Sequence, residues 1–336
     1  MSLTRRKVLW AAPAAALSLA LFSACGGNLG EQSSGEAAAA FPDGPVTLTI
    51  GQDPGGSTDL IGRALAEPVS ETLGVPVPVV NRPGANGALA AKELATKAPN
   101  GQELMVINLS LVAITPLAVP ADQAVDINDY EVITGISADD YVLVSNAESG
   151  LKTVDDLKNA GKTLSFATTG VGTGSQLSSE LLFKLADIPG KAVPFDGGAP
   201  ALTAVLGNQA DVASIQLGEA MPQIEAGKVT PIVTFAKERN QYLNSVPTAT
   251  EAGYEVQVQQ QRAIAAPKGT PADIQTKLKE AYTAAFATQA YKDFNTKALL
   301  TPHEISGEEV KTEWTAAATT YKELTEKYQI DLGGEQ

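Results

Sequence analysis

Gly170-Val171-Gly172-Thr173-Gly174-Ser175 joins a β-rich run to a helical pattern, and a loop of that kind can hold an anion. The first N–H groups of a helix have no partner within it, and its dipole is positive at that end. The spacing invites comparison with the dinucleotide fingerprint G-x-G-x-x-G. Ser175 stands at the sixth position, where that fingerprint has Gly, although Asp196 lies near the spacing expected for a ribose-binding acid. A small anion held by the N–H groups, with the hydroxyls of Thr169, Thr173 and Ser175 nearby, fits these residues better. Other chemistry is poorly supplied. His303 is the only histidine and sits beside Pro302 in a polar stretch outside the loops, where a surface position is expected, and Cys25 is the only cysteine. Neither a Ser-His-Asp nor a Cys-His constellation can be assembled from them. Asp139-Asp140, Asp155-Asp156 and Glu308-Glu309 read as solvated or helix-start charge, and no Cys or His cluster offers a metal site. No cofactor is expected, while an enzyme working with carboxylates alone stays open.

The elements that must position this loop alternate. Val46 to Ile50 is β-rich, Pro54-Gly55-Gly56-Ser57-Thr58 breaks it, and Asp59 to Leu73 follows at helical spacing, with Leu60, Ala64, Leu65, Val69 and Leu73 as its apolar stripe. The pattern recurs from Val77 to Asn81, through Arg82 to Gly87, into a helix over Ala88 to Thr96. Leu104 to Ile107 leads into Asn108-Leu109-Ser110. After the segment Glu131 to Ser145 comes a second set: strand Leu164 to Ala167, helix Gln176 to Ala186, then Val193-Pro194-Phe195 giving way through Asp196-Gly197-Gly198-Ala199-Pro200 to a helix from Ala201 to Leu206. Ala210 to Ile215 and Pro231 to Phe235 read as further strands, and the chain turns helical from Pro271 onward. Such alternation implies parallel strands covered by helices, in two α/β lobes joined by two crossing segments. Ligands of open α/β sheets bind beyond the carboxyl ends of the strands, where these glycine loops lie. Gly56 and Gly172 are expected to sit where a side chain would obstruct an anion or demand a disfavoured φ.

The first forty residues carry a different message. Arg5, Arg6 and Lys7 precede an apolar stretch from Val8 to Ala24, interrupted by Pro13, as in a secretory signal peptide. Leu21-Phe22-Ser23-Ala24-Cys25 resembles the lipobox of a bacterial lipoprotein, in which the peptidase cuts before the Cys and its thiol carries diacylglycerol. Thr4 to Leu9 also looks like a twin-arginine signal, with Val8 where Phe is usual, so both export routes stay open. Gly26 to Ala40 has the composition of a solvated linker. Without residues 1–24 the chain carries 21 basic against 38 acidic residues, a net charge of −17. That balance argues against nucleic acid and against an electrostatically held membrane surface, but not against an anion bound by backbone N–H groups in a cleft.

Five ordered motifs bring these readings together. Pro54-Gly55-Gly56-Ser57-Thr58-Asp59 with Arg63, Asn81 to Gly87, Gly170 to Gln176, Gly197 to Leu202, and Ala266-Pro267-Lys268-Gly269-Thr270-Pro271 resemble the motifs of the substrate-binding proteins of tripartite tricarboxylate transporters, also called the Bug family. The likeness runs from about Phe41 to the C-terminal helix. It implies a type II periplasmic-binding-protein fold, α/β and two-lobed, each lobe a mainly parallel sheet covered by helices, preceded here by a lipoprotein signal peptide (1–24) and a lipidated Cys with linker (25–40). One lobe would comprise 41–138 plus 259–336 and the other 139–258.

The resemblance further implies no catalysis, but capture of a small organic di- or tricarboxylate and its delivery to a permease of one large and one small membrane subunit. The protein would be a monomer, exported and lipid-anchored at the outer face of the cell membrane, without metal or nucleic acid. Carried over by position, the carboxylate site would use Gly55, Gly56, Ser57, Thr58 and Asp59, with Asn108 and Ser110, from the first lobe. The second would add Thr169, Gly172, Thr173, Gly174, Ser175 and Gln176, with Gly197, Gly198, Ala199 and Gln216. This chain departs from the common pattern where Asp196 replaces a frequent Lys, Phe195 a frequent Tyr, and Gln261-Arg262 a frequent Trp-Tyr. Ile215, Gln216 and Glu219 stand where many members have Asp and a Ser/Pro-rich turn. Arg262, ending the polar run from Gln257, could hold a second ligand carboxylate through its planar fork, serve as an ion pair between lobes, or face solvent. A cell-surface enzyme and a ligand sensor for a separate signalling partner are the competing readings. Replacing Cys25 by Ala is expected to abolish lipid attachment and leave the protein uncleaved or released. Membrane fractionation with a labelled fatty acid checks this, and wild-type labelling of the mutant would remove the lipoprotein reading.

Overall fold

A computed structural model describes residues 41–333; Cys25, the export segment and the linker lie outside them. In chain order the elements are β1 (Thr47–Ile50), α1 (Ser57–Leu73), β2 (Val79–Asn81), α2 (Ala88–Ala95), β3 (Glu103–Asn108), α3 (Leu109–Ala113), β4 (Tyr130–Asn146), α4 (Val154–Lys158), β5 (Leu164–Thr168), α5 (Gly174–Leu185) and β6 (Gly190–Pro194). There follow α6 (Gly198–Leu206), β7 (Val212–Gln216), α7 (Leu217–Glu225), β8 (Val229–Thr234), β9 (Gln259–Pro267), α8 (Ala272–Ala287), α9 (Gln289–Ala298) and α10 (Gly307–Tyr328).

The strands order β2-β1-β3-β9-β4-β7-β5-β6, with β8 also on β4. β1 pairs in parallel with β2 and β3, and β5 pairs in parallel with β6 and β7, so each lobe has a parallel centre with helical crossovers. β4 and β9 join them. β4 pairs with β9 up to Asp140↔Gln259 and from Tyr141 onward with β7 and β8. The stretch read above as a segment between two element sets is thus one 17-residue strand belonging to both lobes.

Apolar periodicity explains the packing. On α1 the buried stripe is Ile61, Leu65 and Val69, set against Leu48, Ile50, Leu278 and Tyr282. Leu60, placed on that stripe by the sequence reading, is 45% exposed instead, because a residue next to Ile61 points about 100° away around a helix. A second cluster packs Ala201 and Val205 of α6 on Val142 and Ile215, and a third runs along α10 through Trp314 and Tyr321 to Leu177. Burying one such aliphatic or aromatic side chain contributes about 1.5–3 kcal/mol.

Two helix starts follow the sequence closely. Asp156 and Glu309 complete capping boxes with Thr153 and Ser306, which fits their reading as helix-start charge. The reading of Asp139-Asp140 as solvated or helix-start charge is corrected: both are buried on β4, where the crossing strand carries them between the lobes. Asp140 accepts hydrogen bonds there from Asn240 Nδ2 and Gln259 Nε2, both at 2.8 Å. His303 meets Glu313 at 2.8 Å, partly exposed.

α10 begins against the backbone of β4. A Cβ on Gly307 would overlap the Val132 carbonyl, which cannot move without breaking the strand pairing. Gly307→Ala is therefore expected to destabilise the protein by about 1–3 kcal/mol, the range for overpacking, as read from the urea midpoint. An unchanged midpoint would mean that α10 slides freely on β4.

Candidate functional site

The turn before α1 is shaped by its own acid. Gly55 has φ +85°, a left-handed conformation that glycine adopts without strain, and its N–H donates to Asp59 Oδ2 at 2.8 Å. Arg63 Nε donates to the same oxygen at 3.0 Å, and Asn81 Nδ2 to Oδ1 at 2.8 Å. Burial alone would raise the Asp59 carboxyl, but the hydrogen bonds from Arg63, Gly55 and Asn81 outweigh it and leave the group below its ordinary range. Asp59 thus holds the turn, both its oxygens engaged within the first lobe. For Gly56 the conformational half of the sequence expectation does not hold: its φ is −73°, and within the protein a Cβ there would meet only Asp53 O at 3.6 Å. The conformational demand falls on Gly55.

Arg262 on β9 lies between Asn108 of β3 and Ser137 of β4, with its side chain fully buried. Nη1 pairs with Asp139 Oδ2 and donates to Ser137 Oγ at 3.2 Å. Nε donates to Thr58 Oγ1 at 3.0 Å and Nη2 to Ser57 Oγ at 2.6 Å. Ser57 Oγ in turn donates to Gln216 Oε1, at the end of β7 in the other lobe. Asp139 also accepts from the Thr301 N–H at 3.0 Å and Ser137 Oγ at 2.8 Å. One guanidinium therefore organises the first residues of α1.

The glycine loop of the second lobe is capped internally. Thr173 is the N-cap of α5, its Oγ1 accepting from the Gln176 N–H and donating to Gly170 O. Gln176 Oε1 accepts from the Gly172 N–H at 2.8 Å. Ser175 Oγ accepts from the Thr169 N–H and donates to Ser214 O, so this hydroxyl ties β5 to β7. Gly172 has φ +67°, and a Cβ on it would meet Thr115 Cα at 2.9 Å and Ala118 Cβ at 3.1 Å. Thr115 Oγ1 donates to Gly172 O at 3.0 Å and accepts from Asn86 Nδ2, which also donates to Ser110 Oγ. Asn108 caps α3 through the Leu111 N–H. Here the side chain of Thr115 meets the backbone of Gly172 across the lobes.

A cavity of about 510 Å³ opens beside these contacts. Of the residues singled out by the sequence reading, Gly55, Ser57, Ala199 and Gln216 line it; Asn108, Ser110, Thr169, Gly172 and Thr173 to Gln176 do not. Gly198 begins α6, and Gly197 precedes it with φ +111°. Sequence reasoning missed Leu60, Leu217, Phe294, the end of α9 and, above all, Glu219. Glu219 lies three residues beyond Gln216 and was visible as a departure from the family pattern, though not as a site residue. Its carboxylate lies so close to Gly198 that a Cβ there would overlap it. Burial pushes the Glu219 carboxyl above its ordinary value; Arg262 and the Ser57 N–H act against that, and Asp139 with it. The arrangement supplies hydroxyls, an amide and helix starts for binding, without a nucleophile and base in contact.

Among the described residues no group of three or more His, Cys, Asp or Glu side chains could hold a metal ion, and no helix is long and apolar enough to cross a membrane. The Tripartite tricarboxylate transporter family receptor profile matches residues 61–325. An Agrobacterium vitis UPF0065 protein from the TAR-I ttuE-ttuC' intergenic region is 32% identical over 250 residues, 73% of this chain and 72% of that protein. A solved structure described as a periplasmic transporter superposes with a TM-score of 0.81 at 28% identity, covering 87% of this chain and all of the other. MatC from Rhodopseudomonas palustris, solved with bound malate, gives a TM-score of 0.78 at 27% identity over 84% of this chain and 99% of its own. With its two α/β lobes, its crossing strands and this sequence match, the chain belongs to the tripartite tricarboxylate transporter receptor family of periplasmic solute-binding proteins, which are not enzymes.

Proposed function

We propose that this protein captures a small organic di- or tricarboxylate between lobes 41–138 plus 259–336 and 139–258, which close about β4 and β9, and delivers it as a monomer to the large and small membrane subunits of a tripartite transporter. In this reading the mature protein is exported and held at the outer face of the membrane by lipid on Cys25. The observation that carries the binding role is the convergence of helix starts from both lobes, α1 at Ser57, α6 at Gly198 and α7 at Leu217, on one cavity. Backbone N–H groups and positive dipole ends are a ready site for a carboxylate even in a chain of net negative charge. Malate bound to MatC supports the ligand class.

Arg262 acts in this reading as a positioning residue. Nε, Nη1 and Nη2 are each engaged by the protein itself, so it shapes the Ser57-Thr58 end of the site and leaves the far end of the ligand to the cavity wall. Gly172 acts at the closing contact with Thr115.

A thermal-shift screen against acetate, succinate, malate, adipate and citrate tests the ligand class. An accepted acid at about 100 times its Kd stabilises by about 2.7 kcal/mol, and no shift with any of them would overturn the reading. Arg262→Lys is expected to lower affinity for mono- and dicarboxylates alike, by about 1.5–3 kcal/mol in calorimetric titration, since it loosens the end of the site that both share. A loss confined to dicarboxylates would instead place its guanidinium on the ligand's second carboxylate. Gly172→Val is expected to weaken every accepted acid while circular dichroism stays unchanged, and unaltered affinity would show that the Thr115 contact does not form on closure.

A further inference from the structure

Glu219 sits where an anion would be expected. Its carboxylate abuts Gly198, the first residue of α6, so closely that no side chain fits between them, and the N–H of Ser57, the first residue of α1, acts on it electrostatically. It lines the same cavity as Gly55, Ser57 and Gln216. The chain has therefore placed one of its own carboxylates against the start of α6 in the cavity that Ser57 of α1 also lines, and two carboxylates sharing one site cannot both remain ionised there.

The surrounding charges do not resolve the conflict. From β9, Arg262 faces Glu219 but is paired with Asp139 of β4, which adds negative charge of its own. From α1, Asp59 is tied to Arg63 and Asn81. From α9, Lys297 lines the same cavity. The first turn of α7 holds Glu219 as its acidic residue, and Gly198 of α6 carries no charge.

We propose that Glu219 is a specificity-determining residue of the cleft that admits a ligand carboxylate to the α1 and α6 helix starts only in its own uncharged form, so that binding takes up one proton from solvent onto a Glu219 carboxyl oxygen wherever that group was ionised beforehand. The inference rests on the carboxylate-binding reading above. The bound state then holds a single negative charge between the two helix starts, with the Glu219 O–H free to donate to the ligand carboxylate. Desolvation of Glu219, which favours the protonated form, acts in the same sense.

Calorimetric titration of the wild type and Glu219→Gln with succinate, malate, adipate and citrate tests this between pH 6.5 and 8.5, in two buffers of different ionisation enthalpy. The expected result is that the wild type takes up close to one proton per ligand more than E219Q at pH 8.5. Its affinity should fall, relative to E219Q, by up to about tenfold per pH unit above the Glu219 titration, one proton being linked to binding. E219Q, a neutral mimic of the protonated acid, should bind more tightly than the wild type at pH 8.5. Matching pH profiles and matching proton uptake in the two proteins would overturn the inference and leave carboxylate binding intact. Weaker binding by E219Q at every pH would also overturn it, since Glu219 would then be accepting a hydrogen bond from the ligand. Absence of binding heat in both proteins with every acid would overturn the carboxylate reading and the inference together. Should E219Q fail to fold, the buffer dependence of the wild type decides: no proton uptake at any pH overturns the proposal.

Discussion

The buried ion pair between Arg262 and Asp139 is the interaction on which the cleft depends. A guanidinium withdrawn from water is tolerated only when its donors find acceptors, and here Asp139, Ser137, Thr58 and Ser57 provide them. Removing either charge of such a pair commonly costs about 3–5 kcal/mol, because the remaining one stays buried and uncompensated. The pair lies at the crossing of β4 and β9, the two strands that link the lobes, and its hydrogen bonds reach α1. A structural link and the start of the candidate site are thus the same set of atoms.

From that point the site is built by helix ends rather than by free charged side chains. Ser57, Gly198 and Leu217 begin three helices whose starts meet around the cavity, and Gln216 bridges to Ser57 across the lobes. A family that must bind an acid and then release it to a membrane partner gains from this design. N–H groups at helix ends hold an anion without bringing a full counter-charge, so affinity is set by geometry and dehydration of the cleft as much as by Coulomb attraction. The hydroxyls of Thr173 and Ser175 are engaged within the protein, where they hold the loop that leads into α5 and tie it to β7.

The glycines divide by physical role. Gly55 takes a left-handed conformation that lets the chain turn into α1, whereas Gly56 beside it has ordinary φ and open space. Gly172 combines a left-handed φ with close contact to the Thr115 backbone, so it governs how near the lobes can come. Two glycine-rich motifs therefore contain a turn, a helix cap and a packing surface.

The sequence by itself determined the α/β alternation, the parallel pairing within each lobe, the family and the loops that lead into helices, because these are written in local periodicity and in short motifs of glycine and hydroxyl residues. Gly197 and Gly198 were legible as the turn before a helix, which begins at Gly198 rather than at Ala201, and Asp156 and Glu309 as helix-start charge. Tertiary structure alone decided that Asp139 and Asp140 are buried, that Arg262 spends its donors on the protein, and that Leu60 faces the cavity. It alone brought Glu219 to Ser57 and Gly198, residues far apart in the chain. Burial and long-range pairing depend on which strands cross and how helices from different lobes meet, and no local pattern of residues encodes those distances.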